Sequence, residues 1–107
     1  MLEYEVYLNL IIEMVDKIER SLKKSIDDED VWDAVLMRFQ VIGESVNNIP
    51  KKIRDNHSEI NWRKFYGFRN GISHEYLNVP KTIVMSLINE LPSLKKTVIK
   101  IKGEIKK

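Results

Sequence analysis

The sequence predicts an all-α fold, an antiparallel bundle of four to five helices in which residues 1–107 form a single domain. Three observations carry that expectation. Apolar residues recur at three- and four-residue spacing along most of the 107 residues, the period of one helix face. No stretch alternates with the two-residue period of a strand. Prolines and an acidic cluster punctuate the chain where helices would stop and start. The length suits one hydrophobic core, and 43% hydrophobic with 32% charged residues excludes a disordered chain.

The first helix is read from Tyr7, Leu8, Ile11, Met14, Val15, Ile18 and Leu22, with Glu13, Asp16, Lys17 and Arg20 between them. Asp27-Asp28-Glu29-Asp30 breaks it. One of these acids can cap the second helix, whose positive end favours them. That helix carries Val31, Trp32, Val35, Leu36, Phe39, Ile42 and Val46 and ends near Asn47-Asn48-Ile49-Pro50, because the residue before a proline avoids the helical region. Residues 51–61 form a basic, polar connector with room for one short helical turn. Asn61 is a candidate cap for a third helix opening at Trp62. Gly67 and Gly71 in that helix each cost about 1 kcal/mol against alanine, which suggests close packing or a bend. Pro80 suits the first turn of a fourth helix with Ile83, Val84, Leu87, Ile88 and Leu91 on its apolar side. Pro92 kinks or divides it, and Leu94, Val98, Ile99 and Ile101 continue into a lysine-rich end.

Composition narrows the function classes. The longest apolar run, Ala34–Met37, is far short of the ~20 residues that span a bilayer, so no membrane partner is expected. The start, Met1-Leu2-Glu3-Tyr4-Glu5, lacks the basic segment and cleavage site of a signal peptide. Absence of cysteine excludes disulfides and thiolate chemistry and suits a reducing cytoplasm, the expected location. Two histidines without cysteine make a zinc site a poor fit. The acids at 27–30 read as a solvated turn and cap, and neither a metal nor another cofactor is expected. His57, among charged neighbours, reads as an exposed loop residue. The net charge of +2 argues for no partner by itself.

Distribution is more informative. Five of the nine aromatic residues fall between Trp62 and Tyr76, and Lys51, Lys52, Arg54, Arg63, Lys64 and Arg69 lie in or just before this region. Cations neutralise phosphates and aromatic faces stack on unpaired bases. For the aromatics alone, core packing is the simpler reading.

The stretch Arg69-Asn70-Gly71-Ile72-Ser73-His74-Glu75-Tyr76 places a permanent cation, an amide, an imidazole and a phenol within about two helical turns. Cleaving RNA through its own 2′-hydroxyl needs a base for that hydroxyl, an acid for the departing 5′-oxygen and donors for the charged phosphorane. Histidine serves as acid or base near neutrality. Arginine offers a planar fork that fits two phosphate oxygens. If the segment stays helical, Arg69 and His74 stand about 7.5 Å apart along the axis and roughly 140° apart around it. A reaction wanting both acid and base would gain from a second copy across a two-fold axis, so a homodimer with a shared cleft is expected. Residue types alone leave a surface arginine and histidine as the simpler account.

The arrangement Arg69-x4-His74-x-Tyr76, with polar Asn70 after the arginine, resembles the R-x4-H-x-Y motif of HepT toxins in the HEPN superfamily. Gln40-Val41-Ile42-Gly43-Glu44 resembles the second-helix signature of that family. Ile60-Asn61-Trp62-Arg63 resembles the opening of its catalytic helix, and Leu91-Pro92-Ser93-Leu94-Lys95 its last helical segment. The resemblance covers nearly the whole chain. It implies a HEPN-like bundle and a metal-independent endoribonuclease acting as a homodimer. Arg69 would bind the scissile phosphate, His74 would act as acid or base, and Asn70 would support them. Tyr76 matches the tyrosine adenylylated by the cognate antitoxin, a minimal nucleotidyltransferase called MNT, which must be a separate chain. Glu44 matches a signature position and reads as an acid on a buried helix face, paired for structural reasons. The alternative is a non-catalytic helical module that docks or presents substrate to a nucleotidyltransferase.

Overall fold

The computed structural model describes residues 3–75 and 79–105, with the stretch 69–75 described by its backbone alone. Among the described residues six helices follow one another: α1 (Glu5–Ser21), α2 (Glu29–Asn47), α3 (Lys51–Asp55), α4 (Trp62–Glu75), α5 (Lys81–Asn89) and α6 (Leu91–Ile105). No strand occurs among the described residues. The expected third helix is α4, the basic connector holds α3, and Pro92 divides rather than kinks the last segment. Glu90 closes α5, and its carbonyl accepts the Leu94 N–H in the first turn of α6 at 3.0 Å.

The acidic break does what its residue types dictate. Asp28 stands in extended conformation, and its carboxylate accepts from the Asp30 and Val31 N–H groups at 2.9 and 3.1 Å. Glu29 and Asp30 then sit on the positive end of α2.

α1 runs antiparallel to both α2 and α6. Arg38, midway along α2, donates to the Lys17 carbonyl and the Ser21 hydroxyl at the end of α1. Tyr7, near the start of α1, shares a groove with Glu44 and Ser45 near the end of α2. α6 lies along α1 in the opposite sense, with Lys95 2.6 Å from Asp16. Tyr4 lies beside Ile101 and Glu104. α4 packs along α2, and the whole measures 43 × 27 × 23 Å. Leu8, Ile11, Val15, Ile18, Val35, Leu36, Phe39, Ile42, Val46, Leu94 and Val98 fill the centre.

Three sequence expectations need correction. Ile83 and Ile99 are 46% and 51% exposed. The buried stripe of α5 runs through Val84 and Leu87, and that of α6 through Leu91, Leu94, Thr97, Val98 and Ile101, so the two isoleucines fall beside these stripes. Gly67 is not a close-packing site: a Cβ placed there would meet nothing within 4 Å. Among the described residues no helix is long and apolar enough to cross a membrane.

Candidate active site on the fourth helix

α4 carries the candidate motif, and its seating is set by three aromatic residues at three-residue spacing. Trp62, Phe65 and Phe68 are buried at 6, 1 and 9% exposure. The Trp62 indole N–H donates to the Arg54 and His57 carbonyls at 3.1 and 3.0 Å, tying the start of α4 to the end of α3. Phe68 meets Phe39 of α2 edge to face, ring centroids 5.7 Å apart, a favourable aromatic geometry. These contacts hold α4 against α2 up to the residue before Arg69. On its other flank Lys64 bonds the Ser86 hydroxyl and the Glu90 carboxylate, bracing α4 against α5.

The α4 backbone is helical through Glu75, so positions 69, 70 and 74 all lie on this one helix. The side chains of Arg69, Asn70 and His74, and the whole of Tyr76, fall outside the described residues.

His57 departs from the sequence reading. It is buried at 5% exposure, not a free loop side chain. Its Nε2 lies 2.8 Å from the Glu104 carboxylate of α6 and its Nδ1 3.6 Å from Glu59. It is a clamp between the connector and α6, and the sequence signal for it was faint because Glu104 lies 47 residues away. The Glu59 carboxyl is held below the usual carboxylate range, first by a hydrogen bond from its own backbone N–H, then by His57 and Lys100, against partial desolvation.

Glu44 differs from expectation in burial alone. It is exposed, between buried Gly43 and Ser45, and accepts from the Asn48 amide at 3.4 Å. Among the described residues there is no cluster of three or more side chains able to hold a metal ion.

An open cleft of about 580 Å3 adjoins the first turns of α4, between α3 and the connector; Lys51, Arg54, Asn61, Arg63 and Tyr66 are among its walls. The Arg54 guanidinium carbon stands 5.5 Å from the centre of the Tyr66 ring, within cation–π range. Of the aromatic residues here, Phe65 and Phe68 build the core, Trp62 is buried yet borders the cleft, and Tyr66, Arg54 and Arg63 line the cleft as well.

Comparison with known proteins adds a family to this geometry. A protein of Methanocaldococcus jannaschii named "Gamma-glutamylcyclotransferase and putative RNase" is 29% identical over 98% of this chain and 50% of its own length. The chain therefore spans about half of that relative. A "Putative RNase" of Caldanaerobacter subterraneus subsp. tengcongensis is 33% identical over 86% of this chain and 88% of its own. A "Probable ribonuclease HepT" of Thermococcus cleftensis is 30% identical over 83% and 86%. No solved structure matches significantly. The profile described as "Ribonuclease HepT-like" matches residues 5–101, from the first residue of α1 to deep in α6. With the six-helix bundle and the motif-bearing α4 in place, this chain belongs to the HepT-like ribonuclease family.

Proposed function

We propose that this protein is the toxin endoribonuclease of a toxin–antitoxin pair, cleaving RNA without a metal ion through Arg69 and His74 at a homodimer cleft. The observation that carries the reading is the Arg69-x4-His74-x-Tyr76 pattern in a HepT-like chain whose α4 carries positions 69 and 74. In the proposed reaction His74 exchanges protons with the attacking 2′-hydroxyl or the departing 5′-oxygen. The 2′-oxygen bonds to phosphorus as the 5′-oxygen leaves and takes up a proton, which yields a 2′,3′-cyclic phosphate and a 5′-hydroxyl. Arg69 holds the phosphoryl oxygens as negative charge builds on them, and Asn70 supports the site. A second copy across a two-fold axis supplies a second imidazole, so that one can act as base and the other as acid.

Tyr76 is the proposed regulatory position. Adenylylation by an MNT-type nucleotidyltransferase would bring bulk and negative charge to a cleft that must receive RNA phosphates.

The test is cleavage of a mixed RNA substrate with EDTA present, comparing wild type with His74→Ala and Arg69→Ala. Loss of about 100-fold or more in each variant is expected from the usual contribution of a positioned acid or base. A wild type that leaves RNA intact, or a His74→Ala protein that cuts equally well, returns the protein to the class of non-catalytic modules serving a nucleotidyltransferase. For the antitoxin, incubation with the nucleotidyltransferase and ATP should add one AMP mass, on Tyr76. Labelling at another residue removes that role.

A further inference from the structure

We propose that the cleft between α3, the connector and the first turns of α4 seats the single-stranded RNA that flanks the cleavage point; this rests on the ribonuclease reading above. The charge arrangement is the first support. Each carboxylate lining the cleft already has a basic neighbour. Asp55 lies 2.9 Å from Lys51, Glu90 is bonded to Lys64, and Glu59 is near His57 and Lys100. Two cations are left over. Arg63 is exposed and has no ion pair among the described residues. Arg54 donates its Nε hydrogen to the Ile49 carbonyl at 3.1 Å, and among the described residues its terminal nitrogens enter no ion pair. The cleft is therefore set to attract an anion.

The second support is the Arg54–Tyr66 cation–π pair at the cleft wall. Guanidinium planes and tyrosine rings both accept an unpaired base, which duplex RNA does not offer and an acidic peptide does not possess. A chain of alternating phosphates and exposed bases satisfies both features.

Continuity is the third. Tyr66 stands eight positions before His74 on the same helix, about 12 Å along the axis, or roughly three to four stacked nucleotide steps.

The experiment separates this assignment from catalysis by measuring binding alone. The probe is a fluorescent single-stranded RNA of about 12 nucleotides, methylated at every 2′-oxygen so that it cannot react, titrated over a range of salt. Arg63→Ala should weaken binding and reduce the slope of log affinity against log salt by about 0.7, the loss of one phosphate contact; Arg63→Lys should keep the slope. Tyr66→Leu keeps apolar packing but removes the ring, and should weaken binding about 5-fold or more, whereas Tyr66→Phe should bind as wild type. Circular dichroism melts establish that each variant is folded. Unchanged affinity and slope in folded Arg63→Ala and Tyr66→Leu overturn the assignment, even if the wild type cleaves RNA. Conversely, loss of binding in these two variants upholds the cleft as a seat for single-stranded RNA, and absence of cleavage beside it would overturn the ribonuclease reading and the link to a cleavage point.

Discussion

At the scale of single residues, His57 shows how a polar side chain becomes structural once it is covered. A buried imidazole within hydrogen-bond reach of Glu104 cannot be truncated without leaving a hole and losing its tie to α6. His57→Ala is expected to lower stability by about 2–3 kcal/mol in a urea melt, far more than an exposed histidine would cost. Lys95 makes a milder point. Its pKa is raised, chiefly by the hydrogen bond to Asp16 and secondarily by the negative charge of Asp16 and Glu19, against desolvation. A raised cation stabilises fully below the ordinary lysine pKa of about 10.4 and loses that contribution as pH rises through the higher folded value. Asp16→Asn should therefore differ from wild type most at neutral pH, with the gap closing in alkaline melts. Glu59 has the opposite sign: its lowered carboxyl stabilises above the ordinary glutamate pKa and stops doing so as pH falls through the folded value.

At the scale of elements, α4 is a motif-bearing helix gripped on one side. Trp62, Phe65 and Phe68 fix its inner face, and Lys64 its flank, while Gly67 looks into open space. A glycine inside a helix costs backbone entropy, and here no neighbour requires the missing Cβ. Gly67→Ala is therefore expected to stabilise the protein by about 0.5–1 kcal/mol, seen as a higher melting temperature with unchanged helical content. A drop in stability would mean that the α4 backbone departs from regular helix at this position.

At the scale of the whole molecule, the proposed chemistry asks for two copies. One chain supplies a single imidazole in the motif, so activity per subunit should fall on dilution below the dimer dissociation constant, tracked by sedimentation at the same concentrations. A protein that stays monomeric and keeps full activity at every dilution removes the shared cleft and leaves a one-histidine mechanism.

The sequence by itself determined the all-helical class, the positions of α1, α2 and α4, an acidic cap for α2 and the motif from Arg69 to Tyr76. Each of these is written in residues within a few positions of one another, where periodicity, capping and covalent spacing act directly. Only the tertiary structure decided what is covered. It buried His57 beneath Glu104, left Ile83 and Ile99 outside, put Glu44 on the surface and opened space beside Gly67. It also put Phe65 and Phe68 in the core and brought Trp62 and Tyr66 to the border of the cleft. Exposure depends on which distant segment packs over a residue, and no local pattern carries that information.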